Sequence, residues 1–365
     1  MTTHKTKLIR LTFDSLYYTQ FYQLFDKSYA GVGVIFTLHH VVKEENSSNF
    51  AVNRLLEITP DFLEQTILQV KALGYDIISL DEMWQRMAEQ QFDKKFICFT
   101  LDDGYIDNYE VAFPIFKKHN IPFAIYVSTG IIEGKAILWW RCLEKVILKE
   151  DNIEININGE LKQYKIDTLS QKQKVFDNLY WQFRAMPLSI QHKTIFDLMA
   201  NYDCSVEDVC KNSAMTWEML EELAKCPLAT IGAHTVNHLA MAKLSVEAAK
   251  KEVISCCEVL NQRLNINVNH FCYPYGDPAS ASEREFAMIK ELGFKTATTT
   301  RKAVVERYHK DHLQALPRIP LNGFYQKQRY VRLLLSGVPT GLWGGLKRRV
   351  FKKEAMIKIK NNYVA

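Results

Sequence analysis

Hydrophobic positions along this chain recur with two periods that alternate in blocks. Gly31 to Leu38 is an apolar run that reads as a strand. From Pro60 to Leu73 the apolar residues Phe62, Ile67, Val70 and Leu73 fall at helical spacing, with Pro60 at a favourable early position and Gly74 ending the run. Tyr75 to Leu80 predicts a strand, Asp81 the cap of a helix running through Met87, and Phe96 to Leu101 the next strand. A helix over Tyr109 to His119 and a strand over Pro122 to Val127 follow. Beyond residue 215 the pattern resumes with strands at Leu228 to Ala233, Asn269 to Tyr273, Lys295 to Thr299 and Leu316 to Ile319. Helices at Ser245 to Leu264 and Ser282 to Leu292 fall between them. Strand followed by helix, many times over, predicts parallel strands with helices outside, and the count suits an α/β protein of the (β/α) barrel class.

Two stretches depart from that rhythm. In residues 1–30, Leu16, Tyr17, Tyr18, Phe21, Tyr22, Leu24 and Phe25 lie at roughly helical spacing. They predict either a helix packed on the body or an amphipathic anchor lying on a membrane surface. Between about 131 and 215 the alternation breaks: Ile153, Ile155 and Ile157 alternate ahead of an Asn158-Gly159 hairpin signal, and Leu169 to Met199 is helical with Pro187 interrupting. An insertion of this size after a barrel strand is expected to cover the carboxyl-end face, where βα loops build sites. The expected organisation is therefore an N-terminal helical segment (1–30), a barrel (31–325, insertion about 131–215) and a C-terminal tail (326–365).

At 365 residues and 47% hydrophobic, the chain can bury a full core. No apolar run approaches the length needed to span a bilayer. His4, Lys5, Lys7 and Arg10 interrupt the first residues, which do not read as an export signal, and a cytoplasmic location is expected. The cysteines at 98, 142, 204, 210, 226, 256, 257 and 272 contain no Cys-x-x-Cys and suit reduced, packing thiols. The net charge of +5 hides an asymmetry: from Gln326 to Ala365 ten Lys or Arg stand against the single acid Glu354. Such a tail is a solvated terminus or a surface for anionic lipid. Nucleic acid is not an expected partner, because no recognition motif accompanies the charge.

The strand Phe96 to Leu101 stops at Asp102-Asp103-Gly104, which alone would be a turn and a helix cap. A second strand delivers His234-Thr235-Val236-Asn237-His238. If the chain turns helical there, the two histidines share one face and their imidazoles can meet one cation. Asp102 and Asp103 can supply the missing carboxylate ligand and a base. Side chains that are consecutive on a strand face oppositely, so both reach one site only where the strand ends and curls, and Gly104 gives the backbone that freedom.

A third stretch, Tyr273-Pro274-Tyr275-Gly276, completes a set that resembles the motifs of the NodB-homology polysaccharide deacetylases, metal-dependent enzymes that remove N-acetyl or O-acetyl groups from sugars. The family's Thr-Phe-Asp-Asp-Gly, His-(Ser/Thr)-x-x-His and aromatic-Pro-Tyr-Gly stand here as Thr100 to Gly104, His234 to His238 and Tyr273 to Gly276, in the family's order. Similarity to a bacterial subgroup extends over Leu38-His39-His40-Val41, Ile58-Thr59-Pro60-Asp61-Phe62, Leu138-Trp139-Trp140, Met215-Thr216-Trp217 and Leu316-Pro317-Arg318-Ile319-Pro320, so that it spans about Gly31 to Gly344.

The resemblance implies a distorted (β/α) barrel and a divalent cation, zinc by first choice, held by Asp103, His234 and His238. It implies Asp102 as the base, the backbone N–H of Tyr275 as oxyanion donor, and His39 near the pocket. Many relatives carry an arginine where this chain has Cys272; Arg318 is expected to supply that guanidinium. The family's Leu-x-His acid motif is not evident, and His39, His309 and His312 compete for that role. Trp139, Trp140, Trp181 and Trp217 are candidate faces for sugar rings, with one or two at most expected to touch substrate. Two histidines and a carboxylate also suit ferrous oxygenases, but the long interval between carboxylate and pair, within alternating β and α, disfavours them. The expected function is deacetylation of a sugar in a cell-surface polysaccharide or lipid-linked glycan precursor. The rivals are hydrolysis of another carbon–nitrogen bond on the same scaffold, and a non-catalytic glycan-binding protein.

Overall fold

The computed structural model describes residues 3–43 and 50–341. Its strands, in chain order, are β1 (Gly33–Leu38), β2 (His40–Val41), β3 (Glu57–Ile58), β4 (Asp76–Ile77), β5 (Phe96–Leu101) and β6 (Phe123–Val127). They continue as β7 (Asn152–Ile157), β8 (Glu160–Lys165), β9 (Ala229–Ala233), β10 (His270–Cys272), β11 (Thr296–Thr298) and β12 (Ile319–Pro320). The main sheet runs β11-β10-β9-β6-β5-β1-β12, and every pairing in it is parallel. A parallel bridge between Thr298 and Leu316 brings the segment entering β12 back against β11 and closes the ring. This is the expected distorted barrel, and Arg318 immediately precedes its closing strand.

Strand periodicity sorts the barrel into an outer and an inner set. Val34, Phe36 and Leu38 of β1, Ile97, Phe99 and Leu101 of β5 and Phe271 of β10 belong to the core between strands and outer helices. Ile35, Phe96, Cys98, Tyr126, Cys272 and Leu316 form the core inside the ring. Toward the carboxyl ends the inward positions turn polar: Thr37, Thr100, Asp102, His234, Thr298 and Arg318 are all buried. Close packing constrains this interior, since a Cβ on Gly232 would meet the Tyr126 ring at 2.5 Å.

The insertion has its own hydrophobic core. The β7–β8 hairpin and the helices Trp139–Lys149, Leu169–Ala185 and Leu188–Asn201 bury Ile153, Ile155, Ile157, Trp139, Phe176 and Phe183 together. At the other end of the chain, the helix Thr3–Tyr18 packs on the helix Gln328–Leu335 through Phe13, Leu16, Tyr17 and Tyr330. The tail residues 342–365, with most of the basic run, lie outside the described residues. Among the described residues no helix is long and apolar enough to cross a membrane.

Two local expectations are corrected. The expected strand over Tyr75 to Leu80 is limited to Asp76–Ile77, because Ser79 and not Asp81 caps the next helix: the Ser79 Oγ accepts the Glu82 N–H at 3.1 Å and Leu80 is already helical. The helix expected from Tyr109 opens earlier, as a π-helical turn over Asn108–Ala112 that continues into Phe113–Lys118. Such turns are frequent beside functional sites. Here the turn aims Asn108 Nδ2 at the carbonyl of His39, 2.8 Å away.

Candidate active site

Asp102 and Asp103 follow the last residue of β5, and they reach one pocket because Asp103 takes a left-handed φ of +79° and Gly104 one of +86°. The curl is thus in Asp103 itself as well as in the glycine that makes it tolerable. Both carboxylates are buried, with 2% of each residue exposed.

The two histidines do not share a helical face. His234 to His238 is a loop in which Thr235 (φ +65°) and His238 (φ +55°) are left-handed, and this corrects the helical expectation. The loop is specified by side chains: the Thr235 Oγ1 accepts the His238 N–H at 3.1 Å. The Glu252 carboxylate accepts the backbone N–H groups of Val236 (3.1 Å) and Asn237 (2.8 Å) and the Asn237 side-chain amide (2.7 Å). Glu252 comes from the helix Val246–Leu264, and nothing in the sequence pattern singles it out.

The result is three donors facing one point. His234 Nε2 and His238 Nε2 stand 3.3 and 3.2 Å from Asp103 Oδ1. His234 Nδ1 lies 2.7 Å from the carbonyl oxygen of Cys272, which can only accept, so Nδ1 carries the proton and Nε2 presents a lone pair. Burial opposes ionisation of Asp103, but the imidazoles of His238 and His234 outweigh it and hold the carboxyl well below its usual range. Two imidazole nitrogens and one carboxylate oxygen, mutually within 4.8 Å and buried, are a donor set that suits a divalent first-row cation. Asp103 Oδ1 is buried without a hydrogen-bond donor, which fits an oxygen kept for a metal.

Asp102 is set apart from that group by Arg318. The guanidinium holds it bidentately, Nη1 to Oδ1 at 2.7 Å and Nη2 to Oδ2 at 2.6 Å, and also donates to the Thr299 carbonyl and the Thr100 hydroxyl. Burial raises the Asp102 pKa, yet the Arg318 charge and hydrogen bonds win and leave it lowered. Cys272 Sγ lies 3.1 Å from Arg318 Nη2, so the segment entering β12 brings its arginine to the inward position that Cys272 leaves open on β10.

Of the three competing histidines only His39 reaches this cluster, with Nε2 3.8 Å from Asp102 Oδ2. Burial lowers its pKa, against the pull of the two aspartates. His309 and His312 are corrected out of the site. Their segment follows Val305, which bridges Gly33 at the start of β1, and Arg307 donates to the Gln90 carbonyl, whereas Asp102 follows the end of β5. A strand of this length puts those histidines about 20 Å away, at the other end of the barrel.

The third motif forms the pocket's far wall. Tyr275 is left-handed (φ +61°), its carbonyl accepts the Thr300 hydroxyl at 2.6 Å, and among the described residues no acceptor pairs with its N–H. The Tyr275 ring lies 4.8 Å from the His238 ring and the Trp140 ring 5.3 Å from it. Trp139 is buried and donates its indole N–H to the Tyr275 hydroxyl at 3.0 Å. Trp217 sits under Arg263, and Trp181 is exposed on the outer side of the insertion, so Trp140 is the indole nearest the cluster. Arg184 of the insertion stacks on the Tyr275 ring at 3.8 Å and donates to Asp277 at 2.5 Å. A narrow cleft beside His238, lined by Ile137, Arg184, His192, Asn237, Leu239 and Tyr275, opens between insertion and barrel.

The polysaccharide deacetylase family model matches residues 176–297, a stretch that holds the second and third motifs and stops short of the first. Bacillus subtilis YxkH, assigned to the polysaccharide deacetylases, is 28% identical over 116 residues, which cover 30% of this chain and 42% of that protein. The match thus spans less than half the length of that relative. Among solved structures, the Streptococcus pyogenes deacetylase PplD in complex with acetate is similar with a TM-score of 0.52 at 19% identity, covering 80% of this chain and 92% of that one. IcaB from Ammonifex degensii is similar with a TM-score of 0.53 at 16% identity, covering 84% and 97%. Family model, relative and fold point the same way: residues 176–297 match the polysaccharide deacetylase model, and the fold is similar to that of solved deacetylases.

Proposed function

We propose that this protein is a metal-dependent hydrolase that removes an acetyl group, N-linked in the first place, from a sugar of a cell-surface glycan or its precursor. The observation that carries the reading is the pairing of two differently prepared carboxylates: Asp103 turned to two imidazole nitrogens, Asp102 clamped by Arg318 beside them. The acetate in the Streptococcus pyogenes neighbour supports an acyl product for this fold. Zinc is the ion that best fits two histidine nitrogens and one carboxylate oxygen with positions left for reactants.

A bound cation would lower the pKa of a water and polarise the acetyl carbonyl. The chain's own residues do the rest. Asp102, ionised and held by both oxygens, accepts the water's proton at a carboxylate oxygen. The Tyr275 N–H, fixed by a left-handed turn behind a proline, points a donor at the developing oxyanion. His39 Nε2, beside Asp102 and kept mostly neutral by burial, takes that proton on and hands it to the departing amine. Trp140 and Tyr275 exclude water from one side of the pocket. All eight cysteines are free thiols, which supports a reducing compartment, and the cytoplasm is the location we infer.

Acetate release from uridine-diphosphate-linked and lipid-linked acetamido sugars, with and without added zinc, tests the reading. Asp102→Asn should lose turnover by on the order of 10²- to 10⁴-fold while retaining metal. Asp103→Asn should lose metal as well as turnover. Full metal binding with no release of acetate from any acetylated sugar would overturn it.

A further inference from the structure

The surface farthest in character from the active site is the N-terminal segment. At 100° per residue, Leu8, Leu11 and Tyr18 fall within one narrow arc of the helix Thr3–Tyr18, opposite the arc of Phe13, Leu16 and Tyr17 that packs on Gln328–Leu335. The helix is therefore apolar on two faces, one covered and one bare. Leu8 is 64% exposed, Leu11 67% and Leu24 75%, and Tyr18, Phe21 and Phe25 continue the ridge. Six large apolar side chains exposed within one N-terminal stretch of 18 residues mark an interaction site.

Charge beside the ridge narrows what it meets. An open groove of about 670 Å³ lies next to it, lined by Tyr22, Tyr75, Lys94, Lys95 and Arg332 among others. Among the described residues these three cations make one ion pair, Lys94 with Asp76 at 3.8 Å, and Asp76 is already paired with Arg86. The described chain ends at Gly341, packed so closely on Tyr29 that a Cβ there would lie 2.2 Å from the ring. Beyond Gly341 the sequence carries seven Lys or Arg against one acid. Apolar ridge and basic groove meet at one place.

We propose that this surface docks on a bilayer containing anionic lipid, the ridge entering the boundary of the acyl chains while Lys94, Lys95 and Arg332 meet lipid phosphates. The chemistry is that of an interfacial amphipathic anchor in which apolar burial and electrostatic attraction add. The groove lies by Ala30 and Lys95, at the amino ends of β1 and β5, and so the catalytic cluster at the carboxyl ends faces away from it, open to glycan approaching from the aqueous side. The inference does not rest on the deacetylase reading.

Flotation of the full chain with vesicles tests it, using phosphatidylcholine alone or with about a third phosphatidylglycerol; the wild type should bind the anionic vesicles about tenfold more strongly. Leu11→Glu with Leu24→Glu, and separately Lys94→Glu with Lys95→Glu, should each weaken that binding by about tenfold or more. Metal content and turnover of a soluble substrate, measured on the same samples, should stay at wild-type level, which separates failure here from failure of the catalytic proposal. Free inorganic phosphate at millimolar concentration should not displace the protein; full displacement would assign the groove to a soluble anion and overturn the proposal. Both double variants binding as the wild type does, or a wild-type dimer made monomeric by Leu11→Glu with Leu24→Glu and showing no vesicle binding, would equally overturn it.

Discussion

Arg318 shows at the level of one residue how a motif can be kept when its usual residue is missing. The guanidinium is fully buried and forks onto both oxygens of Asp102. Lysine is no substitute for a planar fork, so Arg318→Lys keeps the charge and loses one of the two bonds. The Asp102 pKa lies below its ordinary value of 3.8. The stability it lends is therefore full above that value and lost as pH falls through the lowered one. In Arg318→Lys the carboxyl protonates at higher pH, and the acid limb of kcat/KM is expected to move up, with kcat down about 10²-fold. Unchanged metal content in the same variant would confirm that the base, and not the ligand set, was disturbed. A pH profile superimposable on that of the wild type would show Arg318 to be structural only. The sequence made this residue a candidate, because Leu-Pro-Arg-Ile-Pro begins at a strand-like piece and Cys272 stands where the family carries arginine. What it could not give was the Thr298–Leu316 bridge that sets the side chain inside the ring, since one bridge leaves no periodic trace.

Among the elements, the strands were readable and the turns between strand and site were not. Gly31 to Leu38, Phe96 to Leu101 and Leu228 to Ala233 carry runs of apolar and β-branched residues, and these became β1, β5 and β9. The spacing of four between His234 and His238 is shared by a helical turn and by a loop with two left-handed residues, so the sequence alone does not separate the two. The deciding contacts come from Glu252, sixteen residues from Val236, on a helix whose pattern reports only its own buried face. Glu252→Gln should retain the fold but weaken three hydrogen bonds that the loop relies on. Metal affinity, read by competition with a chromophoric chelator, is expected to fall by about 10- to 100-fold. An affinity equal to that of the wild type would mean that Thr235 and the β9 end hold the loop unaided. Gly130 supports the same loop from the other side, where a Cβ would lie 2.7 Å from the Val236 carbonyl oxygen.

Across the whole molecule, two hydrophobic cores meet over one pocket. The insertion builds its own core from the β7–β8 hairpin and three helices, then touches the third motif through Arg184, Trp139 and Trp140. Its existence and its placement over the carboxyl-end face followed from the broken alternation, but no local signal marked Arg184 as the contact. That residue ties the Pro274-Tyr275-Gly276 turn to the insertion twice, by stacking on Tyr275 and by the bond to Asp277. A desolvated cation–π contact is worth about 2 kcal/mol and a charge-assisted bond about 1.5 to 3 kcal/mol, so the turn loses much of its fixed geometry when both go. Arg184→Ala leaves the metal donors, Asp102 and Arg318 untouched in contact terms. The oxyanion donor is the part that loosens. Acetate-release kinetics are therefore expected to show kcat down about tenfold or more with metal content unchanged and no shift of the acid limb, the opposite signature to Arg318→Lys. Loss of metal in Arg184→Ala would show instead that the insertion orders the whole pocket, His238 included, through the Tyr275 ring that packs against it.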